Sequence, residues 1–227
     1  MIRLHIFTEG QSEEKFIKTV LDPYLFSLNN NIFTDAWCLT TKFDKKIGKK
    51  FKGGLPDYQK IHTEISNTFK QLKTPEHRFT TFFDLYALPG SFPKYQEVKN
   101  ETDTYRKVEV LETAMSSDLN DQRFIPYIQM HEFEMLILCE PSKLNLAYLE
   151  HENLIKKLEK EISRYNPEEI NEGVATAPSK RIMKYIKEYD KIFATENVLP
   201  NIELDLIKSR CPHFNDWIKK LEELANQ

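Results

Sequence analysis

Four acidic residues stand at the ends of apolar, strand-like runs. Glu9, Asp84 and the pair Glu132 and Glu134 each follow such a run. Because the carboxyl ends of parallel strands meet at one edge of a sheet, we expect these side chains to converge. Gathered carboxylates repel each other unless a cation joins them, and Mg²⁺ or Mn²⁺ with all-oxygen ligands suits such a cluster. An ion of this kind would support phosphoryl chemistry, by polarising phosphate oxygens and activating water.

Glu13 is a fifth candidate ligand. It lies four residues after Glu9, on the first turn of a predicted helix, so both carboxylates can point at one spot. The alternative is that Glu13 and Glu14 complement the positive end of the helix, with Ser12 as its N-cap. This stretch by itself favours the alternative, so the metal hypothesis depends on the other strand ends.

The most basic stretch, residues 42–52, holds six lysines interleaved with Phe43 and Phe51 and ends in a glycine pair. Lysines with aromatic residues and glycines can hold a nucleic-acid backbone. A solvated, lysine-rich loop is the alternative, and the residues leave both interpretations open. The candidate substrate-binding residues here are Lys45, Lys46, Lys49, Lys50, Gly53 and Gly54.

A second basic group, Ser179, Lys180 and Arg181, follows Pro178 at a predicted helix start. The N-terminus of a helix with neighbouring Lys and Arg can hold a phosphate. An ordinary capped helix start with solvated bases is the alternative. We favour phosphate binding because an acidic cluster needs cationic help to bind a polyanion.

His131 precedes the third acidic site, where it is either a substrate contact or a buried, hydrogen-bonded histidine at the end of a strand. The stretch does not match the zinc-protease motif, since Met135 stands where the second histidine of that motif would be. The sequence also has no Walker loop, GxGxxG or GxSxG, so nucleotide motors, dinucleotide enzymes and serine hydrolases have no motif support.

The composition is that of a globular chain, with 227 residues, 40% hydrophobic content and a net charge of -3. This charge gives no global signal for binding polyanions. The three cysteines, Cys38, Cys139 and Cys211, are far apart and without zinc spacing, which favours free thiols in a reducing compartment. The apolar N-terminal run is too short for a signal peptide, and no segment reaches transmembrane length. We therefore predict a cytoplasmic protein without a membrane partner.

The elements that must position these residues alternate along the chain, which predicts an α/β fold with a mostly parallel sheet flanked by helices. The simplest organisation is one domain over residues 1–227, with an α/β core over 1–140 and a mainly helical extension over 141–227. Strands are predicted over 2–7, 33–41, 79–83 and 124–130, and helices over 12–28, 58–73, 107–119, 144–165, 182–191, 202–208 and 214–225.

Six motifs of this chain, in order over nearly its whole length, resemble the domain-of-unknown-function family 4276. They are Thr8-Glu9-Gly10-x-x-Glu13, Thr81-Phe82-Phe83-Asp84-Leu85-Tyr86 with Leu88-Pro89, His131-Glu132-Phe133-Glu134, Asn166-Pro167-Glu168 with Ile170-Asn171, Ala177-Pro178-Ser179-Lys180-Arg181, and Cys211-Pro212-His213-Phe214 with Trp217.

That family resembles the Toprim fold of topoisomerases, primases and overcoming-lysogenization-defect nucleases. The resemblance implies that Glu9 and Asp84 match the Toprim Glu and the first Asp of its Asp-x-Asp pattern. The chain departs from the pattern at the second Asp, where Tyr86 stands; Glu132 or Glu134 would supply the missing carboxylate. The same resemblance implies metal binding by Glu13 and a late catalytic lysine, for which Lys180 is the candidate.

We therefore predict a Mg²⁺- or Mn²⁺-dependent nuclease of Toprim type acting on DNA or RNA. Some relatives of the family resemble nuclease effectors of phage-defence systems, which implies antiviral defence and an ABC-type ATPase partner. The main alternative is a non-catalytic subunit that binds nucleic acid or a partner. A small-molecule phosphatase or nucleotidyl enzyme would use the same acids without the lysine stretch. The oligomeric state is left open, with a homodimer as one arrangement.

Overall fold

Five of the strands form the central sheet of the computed structural model, which describes residues 1–29, 31–39, 42–44, 49–51, 55–170, 173 and 175–226. The strands are β1 (Ile2–Thr8), β2 (Ile32–Cys38), β3 (Lys42–Asp44), β4 (Lys49–Phe51), β5 (His77–Asp84), β6 (Phe124–Ile125) and β7 (Ile128–Gln129). The helices are α1 (Gln11–Phe16), α2 (Asp22–Asn29), α3 (Tyr58–Gln71), α4 (Tyr95–Val98), α5 (Thr104–Leu119), α6 (Glu152–Ile162), α7 (Pro178–Tyr185), α8 (Lys191–Asn197), α9 (Leu204–Arg210) and α10 (Pro212–Glu222).

The sheet has the order β2-β1-β5-β6, with β7 also paired to β5, and all of these pairs are parallel. Strand β1 is central, so it is buried between two neighbours and reads as a nearly continuous apolar run. Thr8 at its end pairs with Cys38 of β2 and Phe82 of β5. The carboxyl ends of the three strands therefore meet at one edge. The predicted α/β fold with a mostly parallel sheet is confirmed.

Two hydrophobic clusters cover the two faces of this sheet. Side chains of alternating direction along β1 divide between them: Leu4 and Ile6 join one cluster, and Phe7 joins the other. The cluster around Phe7 is completed by α3 and α5, whereas the cluster around Leu4 is completed by the N-terminal helices and by α6–α10. The helical C-terminal part thus packs directly on the sheet.

Trp217 of α10 makes the closest link between the C-terminal part and the sheet. Its ring stacks on Tyr127 with 4.2 Å between centroids and on Phe82 with 5.4 Å. Its indole N–H donates a 2.9 Å hydrogen bond to Oγ1 of Thr80 in β5. A buried indole therefore has its polar atom satisfied while it fills the space between α10 and the sheet. The predicted helical C-terminal part is confirmed.

The predicted strand over residues 124–130 is wrong as one element. It is interrupted at Pro126, which has no N–H to donate to a ladder. The hydroxyl of Thr81 satisfies the backbone of Tyr127 at this point. It donates to the Tyr127 carbonyl at 2.8 Å and accepts from the Tyr127 N–H at 3.0 Å. Two short strands, β6 and β7, result on either side.

Two predicted helices also differ from the helices that the structure contains. The helix over 144–165 is shorter, with 3₁₀ turns Pro141–Leu146 and Leu149–His151 before α6 begins. The helix over 182–191 ends at Tyr185, and a new helix, α8, begins at Lys191. The reason for the new start is Asp190, whose carboxylate accepts a 2.7 Å hydrogen bond from the Phe193 N–H as an N-cap. This break decides where Lys191 is placed. No helix among the described residues is long and apolar enough to cross a bilayer.

Candidate functional site

Glu9 and Asp84 meet at the carboxyl edge of the sheet because β1 and β5 are neighbouring parallel strands. Asp84 is the last residue of β5 and is only 6% exposed. Glu9 follows β1 directly, and its carboxylate accepts a hydrogen bond from the Asp84 backbone. The two acids that the sequence placed at separate strand ends therefore belong to one site.

Glu13 enters the same site from α1. That helix begins right after Gly10, so Glu13 lies on its first turn, and its side chain is buried. A Cβ atom at position 10 would lie 3.3 Å from Oε2 of Glu13, closer than an ordinary contact. The glycine therefore leaves room for the Glu13 carboxylate beside the strand end.

Glu134 arrives from the opposite side, after a sharp turn at His131. The backbone of His131 has a φ of 59°, a left-handed conformation that costs a non-glycine residue about 1–2 kcal/mol. The turn leads from β7 into a 3₁₀ helix, Phe133–Cys139, on which Glu134 is buried. Glu132 has a different partner, since its Oε2 accepts a 3.0 Å hydrogen bond from the Ser179 N–H at the start of α7.

Lys191 places a cation among these acids. Its Nζ atom lies 2.9 Å from Oε1 of Glu13, 3.8 Å from Oδ2 of Asp84 and 3.8 Å from Oε2 of Glu134. The lysine is the first residue of α8, which packs on α1 and is tied to it by an ion pair between Lys15 and Glu196. The ammonium therefore balances one of the negative charges in the cluster.

The remaining charge raises the pKa values of the acids. The pKa of Glu9 rises to about 7, first through burial and then through Glu13, while Lys191 and the Asp84 backbone act in the opposite direction. Burial also raises the pKa of Asp84 well above its usual value, against the effect of Lys191. The pKa of Glu134 is raised mainly by burial as well. One ammonium is thus too little positive charge for this number of buried carboxylates.

Two carboxylate oxygens in the cluster have unused hydrogen-bonding capacity. Oε2 of Glu9 and Oδ1 of Asp84 are buried and lack a hydrogen-bond partner among the described residues. Buried polar atoms normally have a partner, so these two oxygens are available as ligands. Oxygen donors of this kind fit a hard divalent ion such as Mg²⁺ or Mn²⁺.

The present positions of the side chains do not yet form such a site. Within the described part of the chain, no group of three or more His, Cys, Asp or Glu side chains is arranged to hold a metal ion. Lys191 contacts three of the four clustered acids, so an ion bound to those acids would require them and the lysine to rearrange. The carboxylate oxygens are suitable ligands for a divalent ion, but the side chains would have to move to surround it.

The other basic residues predicted for the site belong to α7 and β4 or lie outside the described residues. Lys180 is exposed on α7. The Arg181 side chain donates to Oε1 of Glu161 at 2.9 Å and to the Thr176 carbonyl at 2.7 Å, which joins α6 to α7. In the lysine stretch, Lys49 and Lys50 belong to β4, which pairs with β3. The remaining candidates of that stretch, Lys45, Lys46, Gly53 and Gly54, lie outside the described residues.

Sequence reasoning missed two residues of the site, Lys191 and Tyr189. The Tyr189 hydroxyl is buried and has no hydrogen-bond partner among the described residues, and burial with the nearby charge of Glu134 raises its pKa well above the usual value. Neither residue belongs to a recognisable motif. The one available signal was Asp190 between them, a residue type that favours helix N-caps.

Two further motifs brace the fold through Glu168, whose side chain is fully buried. Its carboxylate accepts hydrogen bonds from the N–H groups of His213 and Phe214 at 2.9 and 2.8 Å and from the Tyr105 hydroxyl at 3.2 Å. Nε2 of His213 in turn lies 3.0 Å from Oε1 of Glu112. These contacts link α5 and α10, so a structural role accounts for the two motifs.

Comparison with known proteins gives one match. The sequence model of a family described as Domain of unknown function (DUF4276) matches residues 8–222. This range contains every residue of the carboxylate cluster as well as Lys191. No match was found among curated proteins or among solved structures.

Proposed function

The chain belongs to the DUF4276 family, and from its carboxylate cluster we propose that it is a metal-dependent nuclease that hydrolyses phosphodiester bonds. The observation that carries the proposal is the meeting of Glu9, Glu13, Asp84 and Glu134 at the carboxyl edge of a parallel sheet, where two buried carboxylate oxygens have no hydrogen-bond partner among the described residues. Open α/β sheets bind their ligands at this edge.

Glu9, Glu13, Asp84 and Glu134 are the residues that would hold Mg²⁺ or Mn²⁺. When bound, the ion supplies polarisation of a phosphate oxygen and activation of water. Their burial at the end of the sheet keeps the acids oriented, since β1, β5, α1 and the 3₁₀ helix Phe133–Cys139 are all packed in the core.

The cationic groups of the chain would neutralise the substrate. Lys191 already lies among the acids, and Lys180 is exposed on α7, the helix whose first turn is joined to Glu132 through Ser179. An ammonium beside a phosphate stabilises the charge that develops during attack. We therefore assign charge stabilisation to Lys191 as well as to Lys180.

The position of the lysine stretch supports a nucleic acid over a small phosphate ester. Strand β2 ends beside Glu9: the Leu39 N–H donates to the Thr8 carbonyl at 3.0 Å, and the Cys38 thiol lies 3.5 Å from the Glu9 carbonyl. The stretch with its lysines starts only a few residues later along the chain. Lysines that follow in the sequence so soon after a strand that ends beside Glu9 suit an extended polyanion.

A second candidate function is binding without cleavage. It is favoured by Lys191, which pairs with the acids, and by the absence of a three-ligand arrangement in the described part of the chain. In this case the cluster would stabilise the fold or bind a partner, and the chain would be the binding subunit of a defence complex. The ABC-type ATPase partner implied by the resemblance belongs to both proposals.

The deciding experiment is a cleavage assay on DNA and on structured RNA, with Mg²⁺, Mn²⁺ or chelator. Glu9→Gln and Asp84→Asn keep the size of the side chains and remove the charge that holds a hard cation, so we expect cleavage to fall by orders of magnitude. Glu14→Gln is the matched control, since Glu14 pairs with Lys18 outside the cluster. A simple aryl phosphate is included to detect a phosphatase.

The assay is run on the chain alone and with any ATPase that copurifies with it, because a partner can be required for activity. Metal-dependent cleavage that Glu9→Gln abolishes supports the nuclease. Normal cleavage by Glu9→Gln contradicts it. If no substrate is cleaved by chain or complex, while nucleic acid is still bound, the second candidate is the better conclusion.

A further inference from the structure

We propose that Lys191 is an internal counter-ion that holds the place of the divalent ion, and that an arriving ion displaces its ammonium toward the substrate phosphate. The inference rests on the divalent-ion requirement of the proposed function. The displacement of Lys191 can be tested by metal binding without an activity assay.

The first argument is the position of the ammonium. Nζ of Lys191 contacts one oxygen each of Glu13, Asp84 and Glu134, at 2.9, 3.8 and 3.8 Å. These residues come from three different elements, and their oxygens surround Nζ. Because Mg²⁺ binds carboxylate oxygens at about 2.0–2.1 Å, an ion shared by these residues would lie close to where Nζ lies. The two cations cannot both occupy that volume.

The second argument is the charge of the cluster. Oδ1 of Asp84 is buried and has no hydrogen-bond partner in the part of the chain that the structure describes, and the same is true of Oε2 of Glu9. Both oxygens belong to side chains that already face the cluster. A divalent ion brings one more positive charge than the ammonium and could use these free oxygens as additional ligands. The exchange of Lys191 for the ion therefore improves the charge balance of the site.

The third argument is that Lys191 can leave without unfolding its helix. Its side chain is 32% exposed, and its flexible four-carbon stem starts at the first residue of α8. The helix remains fixed on α1 through the ion pair between Lys15 and Glu196. The ammonium can thus swing toward solvent, where a phosphate attached to the ion would lie.

This arrangement makes the site dependent on the concentration of divalent ions. Without the ion, Lys191 keeps the acids together and balances part of their negative charge. With the ion, the same lysine becomes available to the substrate. The ion concentration at which the exchange occurs is set by how firmly Glu13, Asp84 and Glu134 hold the ammonium.

The first test is calorimetric binding of Mn²⁺ to the wild-type chain, to Lys191→Met and to Lys187→Met. Methionine keeps the length of the side chain and removes the competing charge. We expect the Kd for Mn²⁺ to fall by roughly tenfold or more in Lys191→Met, since a like charge at a few ångströms opposes the ion strongly. Lys187 is exposed, so Lys187→Met should bind Mn²⁺ like the wild type.

The second test uses the wild-type chain and a water-soluble acylating reagent, with labelling of each lysine read by peptide mass spectrometry. Addition of Mn²⁺ should raise the labelling of Lys191 several-fold, because its amine leaves the carboxylates, and should leave Lys187 unchanged. This measurement decides the question even if Lys191→Met fails to fold, which circular dichroism would reveal.

Three outcomes overturn the inference: equal Mn²⁺ affinity of wild type and folded Lys191→Met, weaker binding by that variant, or unchanged labelling of Lys191 when Mn²⁺ is bound. If the wild type binds Mn²⁺ and cleaves nucleic acid with any of these results, only the displacement fails. If neither chain binds Mn²⁺ at millimolar concentration, the displacement and the metal-dependent function fail together.

Discussion

Nζ of Lys191 lies 2.9 Å from Oε1 of Glu13, and the two residues are 178 positions apart in the chain. The contact connects the first turn of α8 to the first turn of α1. It also closes one side of a cluster whose other members come from the strand end at Asp84 and the 3₁₀ helix that carries Glu134. The contact contributes to the electrostatics of the cluster, because it brings an ammonium among the acids.

Glu9→Gln should stabilise the chain at pH 8 when chelator is present. The folded-state pKa of Glu9 is about 7 against an ordinary value of 4.5, so the folded state binds more protons between these values. Stability therefore falls as pH rises from about 4.5 to about 7 and stays low above it. Removal of the charge should recover up to about 3 kcal/mol at pH 8 and nothing near pH 4.

Urea unfolding of wild type and Glu9→Gln at several pH values checks this prediction. Glu14→Gln, which alters an acid paired with Lys18, should follow the wild-type curve. If the stability difference between wild type and Glu9→Gln does not change with pH, burial does not raise the pKa of Glu9.

Lys191→Ala and Lys180→Ala should separate the two candidate catalytic lysines. Loss of Lys191 removes the positive charge nearest to the buried acids, so the variant should be less stable in chelator and should cleave far more slowly. Lys180 is exposed, so its replacement should slow cleavage, leave metal binding nearly intact and change the free energy of unfolding by no more than about 0.5 kcal/mol.

Single-turnover cleavage rates and urea unfolding, each measured with and without Mg²⁺, give the comparison. If Lys191→Ala folds and has wild-type cleavage and stability, Lys191 contributes to neither, and the prediction is wrong.

Replacement of Lys45, Lys46, Lys49 and Lys50 by Ala should weaken nucleic-acid binding and flatten its dependence on salt. These charges can neutralise phosphates, whereas they offer few groups suited to reading bases, so all sequences should be affected alike. A variant with the same change of charge elsewhere, at the exposed lysines Lys156, Lys157, Lys160 and Lys187, serves as control.

Affinity is measured by fluorescence anisotropy over a range of salt concentrations. Equal affinity and salt slope for the variant of the lysine stretch and the wild type would identify the stretch as a solvated loop.

Glu168→Ala should destabilise the chain by about 3 kcal/mol or more. The replacement leaves the part-buried N–H of His213 and the buried N–H of Phe214 without their acceptor, and an unsatisfied buried donor costs about 1–3 kcal/mol. Glu169→Ala next to it is the control, since Glu169 is exposed and should change stability by no more than about 0.5 kcal/mol. Urea denaturation at neutral pH measures both, and a similar loss in the two variants would contradict the role of Glu168 as acceptor.

The α/β class and the pairing of Glu9 with Asp84 could be predicted from local patterns. Strand β1 is an apolar run bounded by a polar turn, and the run before Asp84 has the same form. Parallel strands bring their carboxyl ends to one edge, so two acids at such ends come together when their strands are neighbours, as β1 and β5 are. The Glu13 position followed from helical spacing after Gly10.

The interruption at Pro126 also had a local cause, but its outcome depended on a distant partner. Proline removes one donor from a ladder, which a sequence reader can anticipate. The hydroxyl of Thr81, 46 residues earlier, satisfies both backbone groups of Tyr127 and keeps β7 beside β5. The direction of the chain into Glu134 therefore rests on a contact that no spacing rule contains.

By itself, the sequence determined most of the elements, the α/β class and the acids at the strand ends, because these follow from periodicity and from residues close in the chain. Only the tertiary structure decided that Glu132 faces Ser179 while Glu134 joins the cluster, and that Lys191 is the lysine beside the acids. The physical reason is that a buried carboxylate takes whichever cation or donor the packing of distant helices brings within reach. For Glu13 that packing is α8 on α1, across most of the length of the chain.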